Sequence, residues 1–227
     1  MKKLPENIIR FDIGPLACCG ASAQSGRICY ILSFEPLEWK WIYDTSVRLD
    51  CNIAVISGMD WDNDLTPWPA PGVPAGSAPF KGRADVFMDF LRSKVVPEVE
   101  RNLMRHGVEE SSLVGISLSG LFALWEWVQD DTFDNIASIS GSFWYEGFVE
   151  WLQERSIPHK AGRAYFSLGN KESSSPVPQF RPVAVDTAKV IEVLRANGID
   201  ARFRQTPGTH YAPVYPRLDM ALDELCR

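Results

Sequence analysis

Residues 112–120 read Ser-Leu-Val-Gly-Ile-Ser-Leu-Ser-Gly and run without a break into Leu121-Phe122-Ala123-Leu124-Trp125. A short apolar strand passes to a helix through a cluster of small residues. A turn sharp enough to lift a serine hydroxyl off a sheet needs tiny residues two places before and two after it, because larger side chains would collide. Gly115 and Ser119 fill those places around Ser117, with Gly120 behind them. The spacing therefore predicts a nucleophile elbow. It leaves the Ser117 hydroxyl exposed at a helix N-terminus, where the dipole and free N–H groups favour developing negative charge.

The rest of the chain supplies the sheet that such an elbow needs. Residues 7–19 and 27–37 cluster apolar side chains around the small polar stretch 20–26, which predicts an antiparallel pair. Residues 51–56 read as a buried strand ending at Ser57-Gly58. The segment 59–81 carries Pro67, Pro69, Pro71, Pro74 and Pro79, a density that excludes helix or central strand, while Trp61 and Trp68 argue against disorder. From 83 to 105, Phe87, Leu91, Val95, Val99 and Leu103 recur every four residues, predicting an amphipathic helix kinked near Pro97. Strands are expected at 135–140, 164–168 and 201–205, and helices at 144–154, 183–197 and 216–226. Strands alternating with helices after an antiparallel opening predict an α/β fold: a three-layer sandwich with a mostly parallel sheet.

A chain of 227 residues builds one substantial core, so a single domain over 1–227 is expected. The net charge of −6 argues against nucleic acid as a partner. No apolar run approaches a membrane span, and none follows Lys2-Lys3, so neither an anchor nor a signal peptide is expected. Five cysteines without a Cys-x-x-Cys pair suit neither a disulfide framework nor a zinc knuckle; Cys18 and Cys19 read as small buried residues in a strand. A reducing, cytoplasmic setting fits this pattern. Composition sets no oligomeric state.

A serine hydroxyl needs a base to take its proton. Of the three histidines, His106 precedes Gly107 at a helix end and reads as a cap, and His159 reads as surface loop. His210 follows the last predicted strand in a turn-rich loop, and loops after the carboxyl ends of strands gather over an elbow. The chain order Ser, acid, His then asks for a carboxylate after the penultimate strand. Glu172 fits, and Asp186 is the competitor, unless the pair works without an acid. An oxyanion hole would combine the Leu118 N–H with one from Ser57-Gly58-Met59, either Gly58 or Met59. Trp61, Trp68 and Trp144 could line a substrate site, although core packing explains them equally.

With these residues in place, the chain resembles the esterase D superfamily, and within it the esterases similar to siderophore esterases. The carrying segments are Gly115–Phe122, Asp64-Leu-Thr-Pro-Trp-Pro-Ala70, Ser140-Gly-Ser-Phe-Trp144, Phe166–Glu172 and Pro207-Gly-Thr-His210, in the family's order. The resemblance implies an α/β-hydrolase fold without a lid domain, and a serine hydrolase that cleaves a small-molecule ester through an acyl-enzyme on Ser117. No metal or organic cofactor is implied. The chain departs from the family at Ser119, where Gly is usual, and at Asn170, where Asp is common. Two other readings use the same scaffold: acyl transfer or thioester cleavage, and a binding protein without catalysis.

Overall fold

Runs rich in Ile, Val, Ala and Cys form the central strands β3 (Arg27–Leu32) and β4 (Asn52–Ser57), and the computed structural model describes residues 4–158 and 161–226 of the chain. One eight-stranded sheet runs through the molecule in the order β1-β2-β4-β3-β7-β8-β9-β10. The strands are β1 (Ile8–Ile13), β2 (Leu16–Ala21), β3 (Arg27–Leu32), β4 (Asn52–Ser57), β7 (Glu110–Ile116), β8 (Asn135–Ile139), β9 (Arg163–Gly169) and β10 (Asp200–Thr206). β2 is antiparallel to both β1 and β4. Every pair from β4 through β10 is parallel.

Helices cover both faces. α1 (Trp39–Leu49) and α8 (Val214–Leu225) lie on one face, over Cys29, Ile31, Ile53, Val55, Val114 and Ala137. The other face carries α3 (Ala84–Phe90), α4 (Val96–Leu103), α5 (Leu118–Trp127), α6 (Phe148–Gln153) and α7 (Val183–Ala196), packed on the alternate strand residues Ile28, Tyr30, Leu32, Ala54 and Leu113. That period of two along β3 and β4 is why the strands read as continuous apolar runs: both sheet faces are covered. Every residue of α5 is buried, as expected of a helix that is apolar all round.

The antiparallel opening differs from expectation. The hairpin closes at Gly14-Pro15, inside the stretch assigned to its first arm, and pairs Ile8 with Ala21 and Ile13 with Leu16. The second arm, β3, is a central parallel strand between β4 and β7. Apolar patterning marks a strand and its faces; it carries no information about which neighbour the strand adopts. The Pro-rich segment contains one short helix, α2 (Trp61–Asp64), and the small pair β5 (Pro69–Ala70) and β6 (Phe80–Lys81). The helix at 83–105 breaks at a π turn over Leu91–Val95, just before Pro97 at the start of α4, while its five apolar positions all stay buried. The last strands and helices fall within a few residues of their expected ranges. No helix among the described residues is long and apolar enough to cross a membrane. His159 lies outside the described residues.

Candidate active site

β7 ends at Ile116, and Ser117 turns the chain into α5 with φ +60° and ψ −122°, a strained conformation for a residue with a Cβ. The turn closes so tightly that a Cβ on Gly115 would lie 2.0 Å from the Ser119 carbonyl oxygen. Ser119, where a second glycine was the usual expectation, is accommodated because its hydroxyl joins the turn. It accepts from the Ile116 N–H at 2.7 Å and lies 2.9 Å from the Leu32 carbonyl, fastening the elbow to the end of β3.

Three loops at the carboxyl ends of parallel strands then meet. His210, after β10, presents Nε2 to the Ser117 hydroxyl at 3.1 Å and Nδ1 to Glu172 Oε2 at 3.0 Å. Glu172, in a single 3₁₀ turn after β9, is almost fully buried. The two loops are laced together: the Asn170 N–H donates to Thr206 O (2.8 Å), the Lys171 N–H to Gly208 O (2.9 Å), and the Gly208 N–H to Asn170 Oδ1 (3.0 Å). Asn170 thus ties the loop that carries the acid to the loop that carries the imidazole. Asp186 lies in the first turn of α7, 3.7 Å from Lys189, and burial pushes its carboxyl up. It makes no contact with His210 among the described residues, so the acid that the structure brings to the imidazole is Glu172.

Glu172 is held from below by groups that the sequence reading did not single out. Its Oε1 accepts from the Gly169 N–H at 2.7 Å, from the Ser140 hydroxyl, and from Arg217 Nη2 at 3.3 Å. Burial by itself would raise the Glu172 pKa and is the largest single influence. Hydrogen bonds from His210, Ser140 and the Gly169 N–H together outweigh it, so the carboxyl sits below its ordinary value. Burial lowers the Arg217 pKa, with Glu172 opposing the shift. The sequence did carry a signal for Arg217. It stands at i−4 from Ala221 and i−8 from Leu225, on the apolar stripe of α8, where an arginine needs a buried partner. Ser142 is a further addition, its hydroxyl 3.3 Å from that of Ser117.

The second candidate oxyanion donor has to be revised. Gly58 follows β4, one strand away from the elbow, and a Cβ there would face the Pro15 carbonyl and Leu16. Met59 is buried in the core. The loop beside the elbow is the one that follows β3, because β3 is the strand paired with β7. In it the Ser33 N–H is taken by Ile56 O at 2.9 Å. Among the described residues the N–H groups of Phe34 and of Leu118, the first residue of α5, have no acceptor.

Ser117, His210 and Glu172 open onto a cleft of about 670 Å³. Trp61 and Trp144 line it together with Phe34, Phe180, Tyr211 and Tyr215. Trp61 meets Phe34 edge-on at 5.2 Å, and Trp144 meets Phe180 at 4.6 Å. Trp68 does not line it. Its ring packs against Tyr145, Phe148 and Trp151, and its Nε1–H donates to Glu146 O at 2.8 Å, so it pins the Pro-rich loop to α6. His106 is an exposed residue after the end of α4.

This site sits in a chain whose residues 42–217 match the sequence profile of the Esterase family, described as "Putative esterase". The chain belongs to that family. A Bacillus subtilis relative, the uncharacterized protein YbbA, is 27% identical over 149 residues, which span 63% of this chain and 60% of that protein. Among solved structures, the siderophore hydrolase EstA from Aspergillus nidulans superposes with a TM-score of 0.74 at 20% identity, covering 97% of this chain and 94% of that one. An IroE-like serine hydrolase from Shewanella oneidensis superposes with a TM-score of 0.71 at 18% identity, covering 93% of this chain and 74% of its own. At such identities the structures establish the fold: the chain has an α/β-hydrolase architecture.

Proposed function

We propose that this protein hydrolyses small carboxylic esters through an acyl-enzyme on Ser117. The observation that carries the reading is the unbroken relay from Ser117 Oγ to His210 to Glu172, at 3.1 and 3.0 Å. In this reading His210 Nε2 takes the Ser117 proton as Oγ attacks the acyl carbon. The C–O bond to the alcohol then breaks, and the alcohol leaves with that proton. Water, deprotonated by the same imidazole, attacks the acyl-enzyme and releases the acid. Glu172 keeps the Nδ1 proton in place and stabilises the imidazolium. The Leu118 and Phe34 N–H groups are our candidates for holding the tetrahedral oxyanion.

Two features bear on the substrate. The cleft is walled by aromatic rings, and among the described residues its charged lining, besides Glu172, is Glu35 and Asp62, with no lysine or arginine. Lys171 and Arg181, which could have served an anionic substrate, are not in the lining; Arg181 Nε donates to Ser175 O at 3.0 Å. The cleft therefore favours flat, neutral or cationic esters over anionic ones. Siderophore-type esters enter as the class on which the neighbouring A. nidulans hydrolases are described as acting.

The test is labelling by a fluorophosphonate, with intact mass and peptide mapping. One adduct on Ser117, absent in His210→Ala, is the expected result. A folded protein that takes no label, or takes it elsewhere, overturns the mechanism.

A further inference from the structure

At the opposite end of the sheet from the cleft, three cysteines from distant parts of the chain converge. Cys29 lies in β3, Cys51 immediately precedes β4, and Cys226 follows the last turn of α8. All three are buried, Cys226 being the most accessible at 9%. The Cys29 sulfur lies 3.6 Å from that of Cys226 and 3.7 Å from that of Cys51, and all three sulfurs fall within 4.8 Å of one another. All are free thiols, and these separations are far longer than a disulfide of about 2.05 Å.

The triangle has the size of a metal site. A point equidistant from the three sulfurs lies roughly 2.1–2.4 Å from each, which brackets the zinc–thiolate distance of about 2.3 Å. The donor set is sulfur only, with no imidazole or carboxylate among the described residues of the cluster, and such a set selects soft cations over hard ones. A countercharge is already present. Arg27 donates to the carbonyls of Cys226, Leu49 and Asp50, closing one side of the cluster. Three thiolates and a divalent ion leave one negative charge, which the guanidinium balances.

We propose that Cys29, Cys51 and Cys226 form a three-thiolate site for one soft d¹⁰ cation, the class that includes Cu(I), Zn(II) and Cd(II). Binding forms three metal–sulfur bonds and sends up to three thiol protons to solvent. It also clamps α8 to β3 and β4, and α8 is the helix whose Arg217 supports Glu172.

The experiment titrates the reduced, full-length protein with Cd(II) under anaerobic conditions and follows the ultraviolet sulfur-to-cadmium charge-transfer band, proton release and thermal unfolding. The expected result is saturation at one ion per chain with a rise in Tm. Cys226→Ala should weaken binding by more than about 100-fold, beyond the 10–100-fold usual for loss of a supporting residue, and should abolish the Tm rise. Cys51→Ser gives the same readout if the first variant does not fold. The double variant Cys18→Ser/Cys19→Ser should bind as the wild type does. No band at one equivalent with all thiols reduced, a band that survives in both single-site variants, or a band lost with Cys18 and Cys19 would overturn the site.

Discussion

Replacing Glu172 by glutamine tests the relay more sharply than removing the side chain, because the structure dictates which way the amide must face. Glu172 Oε1 accepts from three donors: the Gly169 N–H at 2.7 Å, the Ser140 hydroxyl, and Arg217 Nη2 at 3.3 Å. An amide NH₂ placed there would set donor against three donors, so the glutamine oxygen takes that position. Its NH₂ then points at His210 Nδ1, which must accept. The imidazole proton is driven to Nε2, the atom 3.1 Å from Ser117 Oγ that has to receive the serine proton. The equivalent exchange in serine proteases lowers kcat by about 10⁴, or about 5.5 kcal/mol at 1.36 kcal/mol per decade. We expect a loss of that size in kcat for Glu172→Gln. The assay is steady-state hydrolysis of p-nitrophenyl acetate, on protein whose fold is verified by circular dichroism and whose Tm lies well above the assay temperature. A Glu172→Gln variant within about tenfold of wild type would refute the tautomer reasoning and, with it, the role assigned to Glu172.

Arg217→Met leaves the Glu172 carboxylate buried without a cation, a loss of about 3–5 kcal/mol; at 2–4 °C per kcal/mol for a chain of this size, calorimetry should show Tm lower by roughly 6–20 °C. The folded-state pKa of Glu172 is depressed, so its ionisation stabilises the fold fully above the unfolded value of about 4.3 and this contribution is lost as pH falls through the folded value. Urea midpoints of wild type and Glu172→Gln should accordingly converge below pH 4; a constant gap down to pH 3 would contradict that linkage. Gly115→Ala drives a Cβ to 2.0 Å from backbone, so it should not fold or should lose more than about 3 kcal/mol by urea titration, whereas Gly107→Ala, with nothing within 4 Å, should be neutral. Lysine at Glu35 and at Asp62 should shift kcat/KM towards anionic esters and away from cationic ones in a panel of matched alcohols, and no shift in that ratio would remove electrostatics from the substrate reading.

The elbow and the positions of its partners were legible because they rest on local rules. Gly115 and Ser119 are demanded by sterics within one turn, and His210 follows from strand order and from loops gathering at one sheet edge. Glu172 and Asp186 stood open because both follow the same strand; the choice depended on a 3₁₀ turn and on cross-loop hydrogen bonds from Asn170 that no periodicity encodes. Ser140, read only as part of a family-like segment, and Arg217 were given no role for a related reason, since each meets Glu172 only across a long sequence separation.

Sterics and burial act within a few residues, so local patterning decides which segments are strands, which helix face is apolar, and where the chain must turn. Tertiary structure alone decided what lies beside what. β3 inserts between β4 and β7, so the loop that reaches the elbow carries Phe34 rather than Gly58, and the opening hairpin closes at Gly14-Pro15. The same packing brings Cys29, Cys51 and Cys226 within 4.8 Å, although no spacing rule links them. Side-chain periodicity tells a strand which way is in; only the completed sheet tells it who its neighbours are.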